Sequence, residues 1–347
     1  MSGEATLARG HRSMPAWLAA LSKYEKPDRR KAIRQILDTL IPYGLMGTLM
    51  VFTVRERMSY WITLAAALPA AGLLVRTFII FHDCGHGSFF SSRRANAIFG
   101  TICGILTFTP YEDWRHEHAA HHASAGDLDR RGEGDIWTLT VEEYRAAPRL
   151  RKVAYRLYRN PLMLFVLGPL YLFLIGQRFP HPGASKRART NVLLTNLGIA
   201  AIMIAAGFAI GLRTYLLVQV PVIALAAAAG TWLFYIQHQY EGVYWDRHQD
   251  WDPVAAAMDG SSYYRLPWPL QWFTGNIGLH HIHHLRPRIA NYNLQECYDA
   301  IPNLQAVKPL SIRWSLKSLG LKLWDETSRQ LVGYSALKTR SSAPSRG

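Results

Sequence analysis

The sequence predicts an all-α integral membrane protein: four transmembrane helices and a cytoplasmic helical cap rich in histidine. Three observations predict it. Two apolar runs of spanning length lack any internal charge, Lys and Arg crowd into two stretches, and eight of the 14 histidines fall into three spaced sets. The formal charge of +15 is read as membrane sidedness, with membrane lipids and no nucleic acid as its counterpart. Three cysteines, Cys84, Cys103 and Cys297, without CxxC spacing, argue against a disulfide scaffold or a thiolate zinc site and fit a reducing compartment.

In chain order, residues 1–35 read as a basic cytoplasmic segment, with eight Lys/Arg against three acids and no secretory signal. Within it, MPAWLAALSKY sets Trp17, Leu18, Leu21 and Tyr24 on one helical face, which fits a helix on the membrane surface or a soluble amphipathic turn. Residues 36–334 read as the membrane domain. Its apolar segments are Ile36–Val54, Tyr60–Phe81, Ala95–Thr109, Pro161–Gly176, Val192–Leu212 and Thr214–Ile236. Crossing ~30 Å of hydrocarbon takes ~20 helical residues, a length that the last two reach without a charge. Tyr60–Phe81 is also long enough, and Arg76 near its end is expected to snorkel. Residues 335–347 read as a flexible tail.

Sidedness follows from Lys and Arg. The first 35 residues and the nine Lys/Arg between Pro110 and Asn160 belong on the cytoplasmic side, so Ile36–Val54 and Tyr60–Phe81 form an in–out–in hairpin. If the histidine sets form one site they share a face, and an even number of segments must cross between the second and third sets. Pro161–Gly176, short and interrupted by Gly168–Pro169, is therefore expected to lie in the interface or re-enter. Ala95–Thr109 is expected to dip and return, which leaves four crossings.

The sets are His82 and His86 in FHDCGHGSFF, His118, His121 and His122 in WRHEHAAHH, and His280, His283 and His284 in GLHHIHHLRP. On a helix, residues i, i+3 and i+4 fall within about a 100° arc, so each set can aim its imidazoles at one point. His116 and His281 fall outside these arcs and read as outer groups. Solvated or pH-sensing histidines are the alternative, but three sets on one face favour metal binding. Eight imidazoles exceed one tetrahedral site, which points to a dinuclear centre, and imidazole donors alone leave iron, copper, nickel and zinc open. His238, just past the last crossing, is either a ninth ligand or a polar interfacial histidine. Asp83, Glu117 and Asn276 are candidates to orient imidazoles or hold a metal-bound water, and a helix-capping role suits Asn276 equally. Trp114, Trp245 and Trp272 could line an apolar channel or belong to the interfacial aromatic belt.

At these residues the sequence resembles the membrane fatty acid desaturase family, whose histidine boxes HxxxH, HxxHH and [H/Q]xxHH occur here in order as His82–His86, His118–His122 and His280–His284. The similarity runs from about Thr39 to Cys297. HDCGHGSFF resembles the acyl-lipid Δ12/ω6-type branch, and GDLDRRGEGDIWTLT and GLHHIHHLRPRIANYNL resemble its bacterial members. The resemblance implies two non-haem iron ions bound by the eight box histidines, with O2 as co-substrate. It also implies an external electron donor such as ferredoxin or cytochrome b5. The substrate would be an acyl chain on a membrane lipid, CoA or acyl carrier. A further histidine beside the last span completes the site in relatives, and His238 matches it. The asparagine that animal relatives carry four residues earlier is Phe234 here. HPGA at His181–Ala184 resembles a cytochrome b5 haem motif but lacks its second glycine and sits in a short basic turn, which argues against a fused b5 domain. Rival readings are a related di-iron hydroxylase or ketolase and, from another class, a metal-transport membrane protein. The second is disfavoured because transporters place ligands near the midplane.

Overall fold

The computed structural model describes residues 16–132 and 134–339. Four helices are long and apolar enough to cross a membrane: Arg29–Arg55, Tyr60–His86, Lys186–Ile210 and Leu212–His238. They overlap the four expected spans and extend beyond them. A helix of 27 residues is about 40 Å long, roughly 10 Å more than the hydrocarbon it crosses. The second span therefore carries His82 and His86, and the fourth span His238, on ends that project past the lipid.

Sequence sets where each helix starts and stops. The Asp28 carboxylate caps the first span by accepting from the amides of Arg30 (2.7 Å) and Lys31 (3.1 Å). The second span ends at Gly87, left-handed at φ 67°, and the Ser185 hydroxyl caps the third. The second and fourth spans approach through small residues, Ala67, Ala70 and Ala71 meeting Val218, Val222 and Ala226 in one buried cluster. The outward faces are apolar and exposed, Phe208 at 90% and Leu37, Ile41, Leu45 and Leu49 in an i, i+4 row, as lipid contact requires.

The second and fourth spans both end among the histidines, so an even number of crossings separates those ends, and the third and fourth spans supply it. The bent pair Arg149–Tyr158 and Met163–Arg178, folded by 66°, thus cannot be a fifth crossing. It re-enters or lies in the interface, as expected for Pro161–Gly176, with Leu162, Val166, Tyr171 and Ile175 exposed. The segment 95–109 differs from expectation. It is one 14-residue helix, Arg93–Leu106, with no internal turn, and the chain reverses only afterwards, at Phe108 (φ 58°) and Pro110.

Arg76 does not snorkel. The second span continues ten residues beyond it to His86, and the guanidinium is buried, 7% exposed. It donates to Thr39 Oγ1 (3.1 Å) and to the Trp272 carbonyl, lies 3.5 Å from Asp38 and sits 4.2 Å over the Trp272 ring. The charge ties the first two spans to the short helix Trp268–Phe273.

Outside the spans the cap is mostly helical, with two small sheets that apolar periodicity does not reveal. Tyr263–Tyr264 pairs in parallel with Pro309–Leu310, and Leu323–Asp325 pairs antiparallel with Gln330–Val332. The amphipathic stretch near the N-terminus is a helix, Ala16–Ala20, followed by a 3-10 turn, Leu21–Glu25. Leu18, Leu21 and Tyr24 are buried against Ile277, Leu279, Ile282 and Leu294, so this face covers the third histidine set instead of resting on lipid. Of the expected tail, Ala336–Thr339 form a helical turn, and residues 340–347 and 1–15 lie outside the described residues.

Candidate metal centre

Each histidine set is held by a different device. The first ends the second span; the second lies on Tyr111–Ser124; the third lies on the six-residue helix His280–Leu285. That short helix is hung on residues 260–264: the His280 amide donates to the Ser262 carbonyl (3.2 Å), the Tyr264 amide to the Gly278 carbonyl (2.7 Å), and the Ser262 amide to Gln237 at the end of the fourth span (3.0 Å). The fit leaves no room at Gly278, where a Cβ would sit 2.3 Å from the Tyr264 carbonyl oxygen. We therefore expect Gly278→Ala to shift the third set and destabilise the fold by about 1–3 kcal/mol, readable as a lower unfolding temperature together with a reduced metal count.

All nine expected histidines converge, but each HxxHH set does not aim at a single point. His82, His86, His118, His122 and His283 form one group, and His121, His238, His280 and His284 form another; within each, one ring nitrogen per residue lies within 4.8 Å of the others. The i, i+4 pairs stay together, 82 with 86, 118 with 122 and 280 with 284. The i+3 members, His121 and His283, cross to the opposite group. On a helix, i+3 and i+4 diverge by about 100°, enough to serve two adjacent cages. The cages touch: the rings of His122 and His284, one from each, stack at 4.2 Å.

The donor atoms suit a metal. The His121 Nδ1–H points to Asp135 Oδ1 (2.7 Å) and the His238 Nδ1–H to the Gly260 carbonyl (3.2 Å), an oxygen that can only accept. Both Nε2 atoms then carry bare lone pairs, yet they face each other at 3.1 Å, as do those of His238 and His280. In the other cage the Nε2 separations are 3.1 Å for His82–His118, 3.1 Å for His118–His122 and 3.0 Å for His122–His283. Opposed lone pairs at this range repel unless a cation lies between them. For a metal–nitrogen bond of about 2.1 Å, neighbouring ligands sit about 3.0 Å apart at right angles and about 3.4 Å apart in a tetrahedron. The observed edges, 3.0–3.1 Å, are close enough for each pair of nitrogens to serve one ion. His86 Nε2 and His284 Nε2 are buried without a hydrogen-bond partner, as further ligand atoms would be. Burial first, then the neighbouring imidazoles, pushes His118, His122, His280, His283 and His284 well below the ordinary imidazole range, so they are neutral donors at pH 7.

The surrounding groups are partly those expected. Asp83 accepts from His82 Nδ1 (2.9 Å) through one oxygen and from the amide and side chain of Asn291 (2.6 and 2.8 Å) through the other, joining the first set to the segment after the third. Glu117 is exposed on the outer face of its helix; Asp135, from the following loop, orients His121 instead. Asn276 makes no hydrogen bond to a histidine among the described residues. It sits in a turn at φ 59°, donates to the Asn291 carbonyl (3.3 Å) and accepts from Gln271 (3.0 Å). Phe234 stands against the four-histidine cage, 5.2 Å from the ring of His121 and 5.6 Å from that of His238. His116 lies outside the cages beside His181, and His281 turns away to the Leu304 carbonyl (3.2 Å). Of the three tryptophans, only Trp114 reaches the histidines, stacking on His118 at 4.3 Å; Gly85 permits it, since a Cβ there would meet the ring at 2.8 Å. Trp245 is packed in a core with Trp324, and Trp272 lies under Arg76. Asp135 and Asn291 were legible only as loop residues near the boxes, in GEGD and IANYN.

Two of the four spans and two cap helices bring buried imidazoles into two adjoining cages, which defines a membrane protein with a histidine-rich candidate metal site. A family model described as fatty acid desaturase matches residues 59–315, and the chain belongs to that family of oxidoreductases. It is 45% identical over 335 residues to a fatty acid desaturase of Bacillus subtilis (strain 168), covering 96% of this chain and 94% of the relative. It is 25% identical over 260 residues to the sn-1 oleoyl-lipid 12-desaturase of Synechocystis sp. (70% and 67% covered). With the sn-1 acyl-lipid omega-3 desaturase (ferredoxin) of the same organism it shares 27% over 237 residues (65% and 63%).

Proposed function

We propose that the nine histidines hold two non-haem irons, His82, His86, His118, His122 and His283 around one and His121, His238, His280 and His284 around the other. With O2 and two electrons the enzyme then inserts a cis double bond, of Δ12/ω6 type, into an acyl chain carried on a membrane lipid. The observation that carries this reading is the opposition of bare Nε2 lone pairs at His121 and His238, 3.1 Å apart. Bound iron would supply the O2 chemistry needed to take hydrogen from an unactivated methylene. The chain's own groups do the rest. Asp83, Asp135 and the Gly260 carbonyl keep the proton on Nδ1 of His82, His121 and His238, so that each Nε2 faces its cage. Trp114 and Phe234 brace the rings and keep water from them. The desaturase unit spans residues 36–334, with 1–35 as its basic flank and 335–347 as its tail.

The Δ12/ω6 position rests on HDCGHGSFF and on relatives such as the oleoyl-lipid 12-desaturase; the same names favour a lipid-borne chain over acyl-CoA or an acyl carrier. Expression in a host whose lipids hold monoenes but no dienes tests it. A 9,12-diene in the lipid acyl profile is the expected product. An unchanged profile from iron-loaded protein would overturn the activity, and a bond elsewhere would overturn the position.

We place the histidine face in the cytoplasm, because the Lys/Arg-rich stretches flank it. Reporter fusions near Ser185 and after Ser335 should both report cytoplasm; an external signal at either would reverse the orientation. An acidic carrier such as a ferredoxin, named for one relative, is a better match to that basic face than cytochrome b5, and turnover with it should slow as salt rises.

A further inference from the structure

The helix Tyr111–Ser124 has a second chemical face. Opposite the box histidines, Asp113, His116 and Glu117 repeat the spacing i, i+3, i+4 of a histidine box. His181, from the loop before the third span, meets this face: its Nδ1 donates to the Asp113 carboxylate, and its ring stacks on His116 at 5.5 Å with an interplanar angle of 10°. One ligand atom each from Asp113, Glu117 and His181 lies within 4.8 Å of the others. The carboxylate–imidazole pair repeats the arrangement of Asp83 with His82 and Asp135 with His121. Asp113 is 8% exposed, whereas Glu117 reaches solvent, so the group has a buried floor and an open mouth. Arg115 and Arg187 close by are both held by Glu112, at 3.0 and 2.6 Å.

A cavity of about 350 Å³ lies beside this helix, and His116, which stacks on His181, is the member of the outer face that lines it; Asp113, Glu117 and His181 themselves do not. Its lining includes His116 on the outer side and His86 and His118 of the five-histidine cage on the inner side. We propose that Asp113, Glu117 and His181, with His116 beside them, form a third divalent-cation site that loads the five-histidine cage through this cavity. Its binding half stands on its own residues; the loading half rests on the reading that the cages hold metal. Mixed oxygen and imidazole donors bind divalent ions less selectively than an all-imidazole cage, and one exposed ligand allows exchange.

The test is a count and a rate on full-length protein, stripped of metal and titrated with Co2+ alone. Wild type should take three ions per chain, and the double variant Glu117→Gln/His181→Gln two. Filling of the cages in the variant should slow at least tenfold while its final count stays at two. Two ions in both proteins would overturn the outer site. A third ion lost without any change in rate would leave an adventitious surface cation only and overturn the loading role. A wild type that binds one ion, lost in the double variant, would keep the outer site and refute the cages instead. Should the double variant fail to fold, Glu117→Gln alone removes one carboxylate of the group and should still slow filling several-fold; an unchanged rate there would overturn the loading role.

Discussion

His238→Ala should abolish product formation and leave about one iron per chain, against the two expected of wild type. His238 lies outside the three boxes, at the last residue of the fourth span, yet its Nε2 stands 3.1 Å from those of both His121 and His280. Removing it takes one donor from a cage of four, the one that stands between His121 of the second set and His280 of the third. Changes to groups that merely orient a ligand cost roughly 10–100-fold in metal affinity or activity, and loss of a ligand should exceed that range. The fold should survive, because the side chain's one structural bond goes to the Gly260 carbonyl at 3.2 Å. Iron assay and acyl profiling on the same preparation check both halves. Full activity with two irons would remove His238 from the centre.

The second large effect is expected at Asp83. Its two oxygens serve opposite partners, His82 Nδ1 on one side and two donors of Asn291 on the other. Asp83→Asn keeps the shape but must turn an NH2 toward one of these donors. The buried mismatch should cost about 1–3 kcal/mol. It also frees the His82 ring, so iron affinity of the five-histidine cage should fall on the order of 10–100-fold while the four-histidine cage stays filled. Thermal unfolding and the iron content after mild chelation separate the two effects. Equal loss from both cages would mean that Asp83 supports the cap as a whole and not the first box.

Much of this architecture was legible in the amino-acid order. Long apolar runs, two of them free of charge, marked the spans, and the requirement that all histidine sets share a face placed Pro161–Gly176 off the list of crossings. The i, i+4 rule paired 82 with 86, 118 with 122 and 280 with 284. It could not say that His121 and His283 would cross over, because the same 100° arc serves one point or two, depending on how the helices meet. The partners of the rings were less legible still. Glu117 is a helical neighbour of the second set, but helix phase turns it outward, and Asp135 arrives from a loop whose path depends on tertiary packing. Arg76 looked like a residue near a span's end because hydropathy falls at His82, although hydrogen bonding carries the helix on to His86. The burial of Leu18, Leu21 and Tyr24 depended on a surface formed by residues 277–304, more than 250 positions away.

The central claim is that two ions sit side by side, one among five imidazoles and one among four. Anomalous diffraction from iron-loaded protein at the iron absorption edge tests it most directly. Two peaks are predicted, the first within bonding reach of His82, His86, His118, His122 and His283 and the second of His121, His238, His280 and His284. A single peak, or peaks away from these rings, would contradict it.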